Sequence, residues 1–466
     1  MYKDKKVTIM GLGLQGSGIE MVRFFVNKGA KVTVTDIKTK EKLQSALDKL
    51  KDFKKVRYVL GQHRPEDFSK ADLVIKGPGV SWNSKYLQIA QKNKVPVETE
   101  AGIFIKLVKN PIIGITGTRG KSTTTQIIYE ILKKANVDVA IGGNIKEKPL
   151  IKLLMEVKKE STWLVVELSS FQLEGMRAHK KSPQLAVITN LMVDHMNRYK
   201  TVEDYHGAKK TILRFQGRED FAVLNQDDEQ VRQLTSLAKG NIFFFSTKKL
   251  GCENAAFIFK DKIMFRNNRE LEEICNVEEL KIIGRHRYPN ILAAVCVAKI
   301  FNVSSETIKK VVENFSFLEH RLEIFKQVDG ITFVNDTTAS VPEATIHALD
   351  SFGDKNIILI AGGADKKLDF SQMANKISEK VNYLILLPGR GSDRILNAIR
   401  KCCPQEFKNE GSFIKVENLD QAVEKAKEVA RQNDLVLMSP ACSSFNLFNN
   451  EFERGDKFKE AVEKIF

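Results

Sequence analysis

Hydrophobic positions along the chain recur with two periods. Short apolar runs read as buried strands at Lys5–Met10, Lys31–Thr35, Asp72–Lys76, Ile112–Ile115, Val137–Ile141, Trp163–Leu168 and Leu185–Thr189. Between them lie helical patterns, among them Ile19–Asn27, the face formed by Ile127, Ile128, Ile131 and Leu132, and Val202–Leu213. Leu224–Asn225, Asn241–Ser246 and Ala255–Phe265 form a β-rich continuation, and Pro289 suits the first turn of a helix running to Ala298. Four later strands, Ile331–Asn335, Ile357–Ala361, Tyr383–Leu387 and Leu435–Ser439, each empty into a polar or glycine-rich loop. Strands alternating with helices predict an α/β chain with mostly parallel, doubly wound sheets, whose ligands sit at the carboxyl ends of the strands.

At 466 residues the chain exceeds what one core serves, so two or three domains are expected. The composition, 42% hydrophobic and 28% charged, is that of a globular protein. No window approaches ~18 consecutive apolar residues and no signal-peptide core stands at the start, so no membrane partner and a cytoplasmic location are expected. The six cysteines form no C-x-x-C pair, which argues against a zinc site or a disulfide framework. The net charge of +16 comes from scattered lysines without an aromatic platform, so a solvated lysine-rich surface is the better reading, an acidic substrate the next, and no nucleic-acid partner is expected.

Chemistry concentrates in Pro111–Thr125, PIIGITGTRGKSTTT. An apolar strand breaks into a turn containing Gly117, Thr118 and Gly120, and Lys121-Ser122-Thr123 opens the next helix. Such a turn aims backbone N–H groups and a helix N-terminus at phosphate oxygens; Lys121 reaches the β/γ-phosphates, and a Ser122 or Thr123 hydroxyl can hold Mg²⁺. Ile115 stands where the strict P-loop pattern has its first glycine. Glu167 closes a strand among apolar neighbours, where a carboxylate is costly unless it holds a cation such as Mg²⁺. His195 follows Asp194 after another strand end. Lys209 and Lys210 share a helix, and sequence physics does not separate them. Near the amino terminus, Gly11-Leu-Gly13-Leu14-Gln15-Gly16 with Asp36 is a dinucleotide-type phosphate and ribose fingerprint, accompanied by the Gly77–Ser81 loop with Gly79. Alone, that fingerprint suggests an NAD-dependent dehydrogenase, which leaves everything after Gly114 unexplained. A nucleotide-binding or nucleic-acid-binding protein without catalysis leaves Glu167, His195 and Lys209 unexplained.

Taken together, GITGTRGKSTT, GGN, VELSSFQLE, TNLMVDHMNRY, HRYPN, EHRLE, VNDTTAS, GGADKK and SPACSSFNLFNNEFERGDKF resemble the Mur ligase family along the whole chain, with its D-glutamate-adding members the nearest match. The resemblance implies three domains: a Rossmann-like domain for the UDP-substrate at 1–103, a P-loop ATPase-like domain at 104–317, and a Rossmann-like domain at 318–466 that closes over ATP and amino acid. It implies an ATP- and Mg²⁺-dependent ligase of peptidoglycan precursor synthesis, a monomer, that joins glutamate to UDP-N-acetylmuramoyl-L-alanine through an acyl phosphate. The first glycine loop, with Gly13, Leu14, Gln15, Asp36 and Gly79, then holds the uridine diphosphate part rather than NAD. By the same resemblance Ser122 and Glu167 hold one Mg²⁺, His195 supports a second, and Lys209 is carbamylated to anchor it. Asn144 contacts the muramoyl substrate; Asn290, Arg321 and Asp336 serve the nucleotide; Ser340, Lys366, Ser444 and Phe445 serve the amino acid.

Three departures from the family pattern bear on specificity. His286-Arg287 stands where relatives have His-Asn. Thr337-Thr338-Ala339-Ser340 replaces Ser-Lys-Ala-Thr, removing a lysine expected near the incoming amino acid. Glu451 occupies a position where phenylalanine is usual, with Phe452 one place later. L-Glutamate or another amino acid is therefore the alternative acceptor.

Overall fold

The computed structural model describes all residues except Leu14, Gln15, Lys146, Asn197, Arg269, Ile282, Ile283, 316–318, Asp354 and 403–411. The strands build three sheets. The first comprises β1 (Lys6–Met10), β2 (Lys31–Asp36), β3 (Arg57–Leu60), β4 (Leu73–Lys76) and β5 (Val97–Thr99), parallel throughout in the order β3-β2-β1-β4-β5. The chain reverses direction of travel between β1 and β4. The loops after those two strands therefore face a shared crevice, where open α/β sheets bind ligands.

The second sheet comprises β6 (Ile112–Thr116), β7 (Val139–Gly143), β8 (Trp163–Glu167), β9 (Leu185–Ile188), β10 (Phe221–Asn225), β11 (Asn241–Ser246), β12 (Asn254–Phe259), β13 (Lys262–Asn267) and β14 (Glu270–Asn276). Its order is β14-β13-β12-β11-β10-β9-β6-β8-β7, parallel from β7 to β12. The β-rich stretch Ala255–Phe265 resolves into an antiparallel hairpin: Lys260 and Asp261 both take positive φ, 50° and 56°, the two-residue turn whose twist matches flanking strands. Gly142 and Gly143, expected just after a strand, are its last two residues.

The third sheet comprises β15 (Glu323–Val328), β16 (Ile331–Asn335), β17 (Ile357–Ala361), β18 (Val381–Leu386), β19 (Phe413–Lys415) and β20 (Leu435–Met438), in the order β15-β16-β20-β17-β18-β19. All pairs are parallel except β15 with β16. Along β17, Ile357, Leu359 and Ala361 enter one core and Ile358 and Ile360 the other. Helices cover both faces, which is why these strands are continuously apolar rather than alternating.

Contacts divide the chain into two compact units, Met1–Glu279 with Pro289–Glu313, and Leu280–Tyr288 with Asn314–Phe466. The first unit contains two sheets because they share helices. In the helix Glu100–Leu107, Ile103 packs into the core of the first sheet while Ala101, Phe104 and Ile105 pack into that of the second. The expected boundary at 317/318 falls outside the described residues.

Candidate active site

In the second sheet β6 lies between β8 and β9, with Ile115 paired to Glu167 and Thr116 to Ile188. The loop leaving β6 is therefore flanked by the ends of both neighbours. Gly117 and Gly120 take positive φ, and the helix Lys121–Lys134 starts directly after Gly120. The loop is clamped from the β9 side. The Thr118 amide donates to the Asn190 carbonyl at 3.0 Å and the Arg119 amide to Asn190 Oδ1 at 2.8 Å, while Thr189 Oγ1 donates to the Arg119 carbonyl at 2.6 Å. Lys121 Nζ donates to the Gly117 and Thr118 carbonyls, both at 3.1 Å. Asn290 accepts from Thr124 Oγ1 at 3.2 Å and lies against Gly120 so closely that a side chain there would strike its amide.

Around this loop stand the candidate metal residues. Glu167 is 1% exposed; its Oε1 accepts from Asn144 Nδ2 at 2.8 Å, and its Oε2 is buried with no hydrogen-bond partner. A buried carboxylate oxygen without a donor is costly, and a cation is what satisfies it. The donor types, the Glu167 carboxylate and the hydroxyls of Ser122 and Thr123 in the first turn of the helix after Gly120, suit an oxygen-seeking ion such as Mg²⁺. Lys209 is 1% exposed and donates to the Gly117 carbonyl at 2.7 Å, with its ammonium 5.0 Å from the Tyr205 ring centre. Burial, and secondarily the charge of Lys121, lower its pKa well below the usual lysine value, against the pull of Asp194 and Glu167. Lys210, one residue on, is only half-buried. His195 takes φ 57°, its amide donates to Asp194 Oδ1 at 2.7 Å, and its ring meets those of Phe171 and Tyr205 edge-on. Asp194 in turn lies 3.6 Å from Arg119. Lys121, Glu167, His195, Lys209, Asn144 and Asn290 thus gather around one loop.

In the first sheet the Leu12 and Gly13 amides donate to Asp36 Oδ2 at 2.9 and 3.4 Å, and the Lys38 amide to Oδ1 at 2.9 Å. Asp36 therefore holds the turn after β1 against the end of β2. Gly79 is exposed in the loop after β4. Leu14 and Gln15 lie outside the described residues.

In the second unit Asp336 accepts from the Leu322 amide at 3.1 Å and from Ser439 Oγ at 2.9 Å. Burial pushes its carboxyl up to about 6, against the Ser439 hydrogen bond and the charges of Arg287 and Arg321. Arg287, the residue that departs from the family pattern, donates to the Arg321 carbonyl at 3.0 Å, and His286 stacks on His347. Lys366 Nζ, after β17, donates to Ser340 Oγ, after β16, at 3.0 Å. The Ser444 hydroxyl is buried without a partner, Phe445 is 71% exposed, and Phe452 packs edge-on against His320.

Sequence reasoning missed several supports of these sites. Asn190 and Tyr205 fix the P-loop, the latter through a 3.2 Å hydrogen bond to Thr118 Oγ1. The buried Arg454 joins two loops of the second unit by donating to Thr337 Oγ1, the Thr337 carbonyl and the Cys442 carbonyl. Asn190 and Arg454 stand in the quoted motifs and Tyr205 stands outside them, and no local rule distinguishes a loop brace from a surface polar residue.

Residues 5–99 match the Mur ligase MurD-like N-terminal domain, 115–298 the Mur ligase middle domain, and 320–442 the Mur ligase glutamate ligase domain. The UDP-N-acetylmuramoylalanine–D-glutamate ligase of Roseiflexus sp. (strain RS-1) is 38% identical over 99% of both chains. The chain belongs to the Mur ligase family. It is accordingly an ATP-dependent, amide-forming ligase with the family's three-domain α/β fold. A second Mur ligase, the UDP-N-acetylmuramoylalanine–D-glutamate ligase of Clostridioides difficile (strain 630), is 36% identical over 99% of both chains. In fold, the chain is similar to the UDP-N-acetylmuramate-alanine ligase of Thermotoga maritima, with a TM-score of 0.65 at 20% identity over 99% of both chains. Among the described residues no helix is long and apolar enough to cross a membrane.

Proposed function

We propose that this chain adds D-glutamate to UDP-N-acetylmuramoyl-L-alanine, through an acyl phosphate made at the expense of ATP. The observation that carries this reading is the buried, unpartnered Glu167 Oε2 beside a glycine turn, with the sealed Lys209 amine, whose pKa burial lowers, on the same turn. A carboxylate is a poor acyl donor, so it must first take the γ-phosphoryl group; the amino acid's amine then displaces phosphate at the carbonyl. Both steps gather negative charge, which calls for positioning and electrostatic stabilisation.

In this reading Gly117, Thr118, Gly120, Lys121, Ser122 and Thr123 cradle the ATP phosphates, with Lys121 turning from its carbonyls to the β/γ-oxygens. Ser122 and Glu167 hold one Mg²⁺, and His195 with Lys209 support a second. The metal, when bound, neutralises charge on the phosphoryl oxygens. Only a neutral amine attacks CO₂, so the depressed pKa of Lys209 is what carbamylation requires, and the carbamate exchanges a buried cation for an anionic ligand. Asn144 orients Glu167 and meets the muramoyl substrate. Asn290, Arg321 and Asp336 serve the nucleotide. Gly13, Leu14, Gln15, Asp36 and Gly79 hold the uridine diphosphate part, the loop amides facing the anion.

Ser340, Lys366, Ser444 and Phe445 are assigned to the incoming glutamate. Thr338 stands where a lysine is usual and bonds the His320 carbonyl at 3.0 Å, but Lys366 places a cation at Ser340 and so retains a partner for a carboxylate. The domains are assigned to 1–103, 104–317 and 318–466. The protein acts as a cytoplasmic monomer in building cell-wall precursors, and so serves cell shape and division. The deciding experiment supplies ATP, Mg²⁺ and UDP-N-acetylmuramoyl-L-alanine with D- or L-glutamate and measures the dipeptidyl product. D-Glutamate should be consumed at least ~100-fold more efficiently. A preference for L-glutamate, or failure of both, would overturn the assignment of the acceptor.

A further inference from the structure

The turn that carries His195 is fastened to the first sheet by the side chain of Arg198. The Arg198 and Tyr199 amides donate to the His195 carbonyl at 2.9 and 3.0 Å, which closes a turn and makes His195 and Arg198 one small body. From it the Arg198 guanidinium crosses to the loop after β4: Nη1 donates to the Pro78 carbonyl at 2.5 Å and Nη2 to the Val80 carbonyl at 3.2 Å. Its Cζ lies 4.2 Å from the ring centre of Phe171, in the helix Ser170–Arg177 that follows the Glu167 strand. That ring also meets His195 at 5.1 Å and stacks on Tyr199 at 5.9 Å with the planes 5° apart. Among the described residues no carboxylate pairs with Arg198 at ion-pair distance. The planar fork is instead spent on two carbonyls of a single loop, a geometry that lysine cannot reproduce.

Pro78 and Val80 bracket Gly79, in the loop facing the crevice of the first sheet. We propose that Arg198 is a positioning residue that couples the two substrates: a ligand ordering the Pro78–Val80 loop also orders the Asp194–His195 turn, and an ATP-side ligand that fixes His195 fixes the sugar-nucleotide loop. The inference rests on the reading above that the first sheet takes the UDP-substrate and the P-loop takes ATP. Coupling of this kind is reciprocal, so each ligand must tighten the other by the same factor.

The test measures the dissociation constant of UDP-N-acetylmuramoyl-L-alanine with and without a saturating non-hydrolysable ATP analogue and Mg²⁺, in the wild type, Arg198→Lys and Arg198→Ala. The wild-type ratio should be about 5-fold or more, falling to within twofold of unity in Arg198→Ala and nearly so in Arg198→Lys. Both variants should still bind each ligand alone, which a general loss of folding would prevent; Arg198→Lys keeps the charge and stem should the alanine variant be unstable. A wild-type ratio near unity, or a variant that keeps the wild-type ratio, overturns the coupling while leaving the ligase reading intact. Failure of the wild type to bind the sugar nucleotide or the ATP analogue at all overturns that reading, and the coupling with it.

Discussion

At the scale of single residues, Lys209 and Glu167 show how far chemistry can be read before folding is known. The cost of burying a carboxylate marks Glu167 from sequence, and the unpartnered Oε2 is the same cost seen in three dimensions. Lys209 is different. It and Lys210 are chemically identical, and a helix turns about 100° per residue, so only the packing of Val202–Arg214 decides that Lys209 is sealed while Lys210 stays half-buried. Family resemblance picked the same residue without that physical reason. Lys209→Ala is expected to lower kcat by roughly 10²-fold or more, the usual cost of removing a preorganised electrostatic group, and added formate or acetate should restore part of it. Phosphate release measured with and without the short acid decides the matter; an alanine variant of unchanged rate would remove the carbamate from the mechanism.

At the scale of elements, the strand, glycine turn and helix at 112–134 were legible because each part has its own local signal. What encloses them was not. Asn190 and Asn290 lie about 70 and 170 residues downstream of Gly120 in sequence, yet one bonds the turn's amide and the other rests on Gly120. At φ 80° Gly120 sits in left-handed backbone, where a side chain costs about 1–2 kcal/mol before any clash with Asn290. Gly120→Ala should therefore weaken ATP binding by about 10-fold or more and lower the melting temperature by several degrees. A nucleotide titration with a thermal melt checks both, and unchanged affinity would mean the turn is not the phosphate cradle.

At the scale of the whole molecule, the first unit stores an electrostatic cost at the end of β4. Lys76 is 3% exposed there, with its ammonium 4.8 Å from the Trp82 ring centre, and burial lowers its pKa to about 8, helped by the charge of Arg198. The folded state thus binds this proton less well than the unfolded chain. Between about pH 8 and the ordinary lysine value the unfolded state holds more protons, so folding stability should rise with pH across that window. Lys76→Met should remove that slope, the difference between the two proteins changing by roughly 1–3 kcal/mol from pH 7.5 to 10. Denaturant midpoints taken along the series test it, and parallel curves would show that Lys76 does not titrate differently in the fold.

By itself the sequence determined the α/β class, the parallel strands with loops at their carboxyl ends, and the strand, glycine turn and helix at 112–134. These depend on periodicity and on residue types within a few positions of one another. Tertiary structure alone decided strand order, and with it that β8 and β9 flank β6 and bring Glu167 and Asn190 to the same turn. It also decided that the first two sheets form one unit through the shared helix Glu100–Leu107, and that Arg198 spans from the His195 turn to the loop after β4. Those are contacts between residues tens to more than a hundred positions apart. They follow from which faces can be buried together, a property of the assembled core that no local pattern carries.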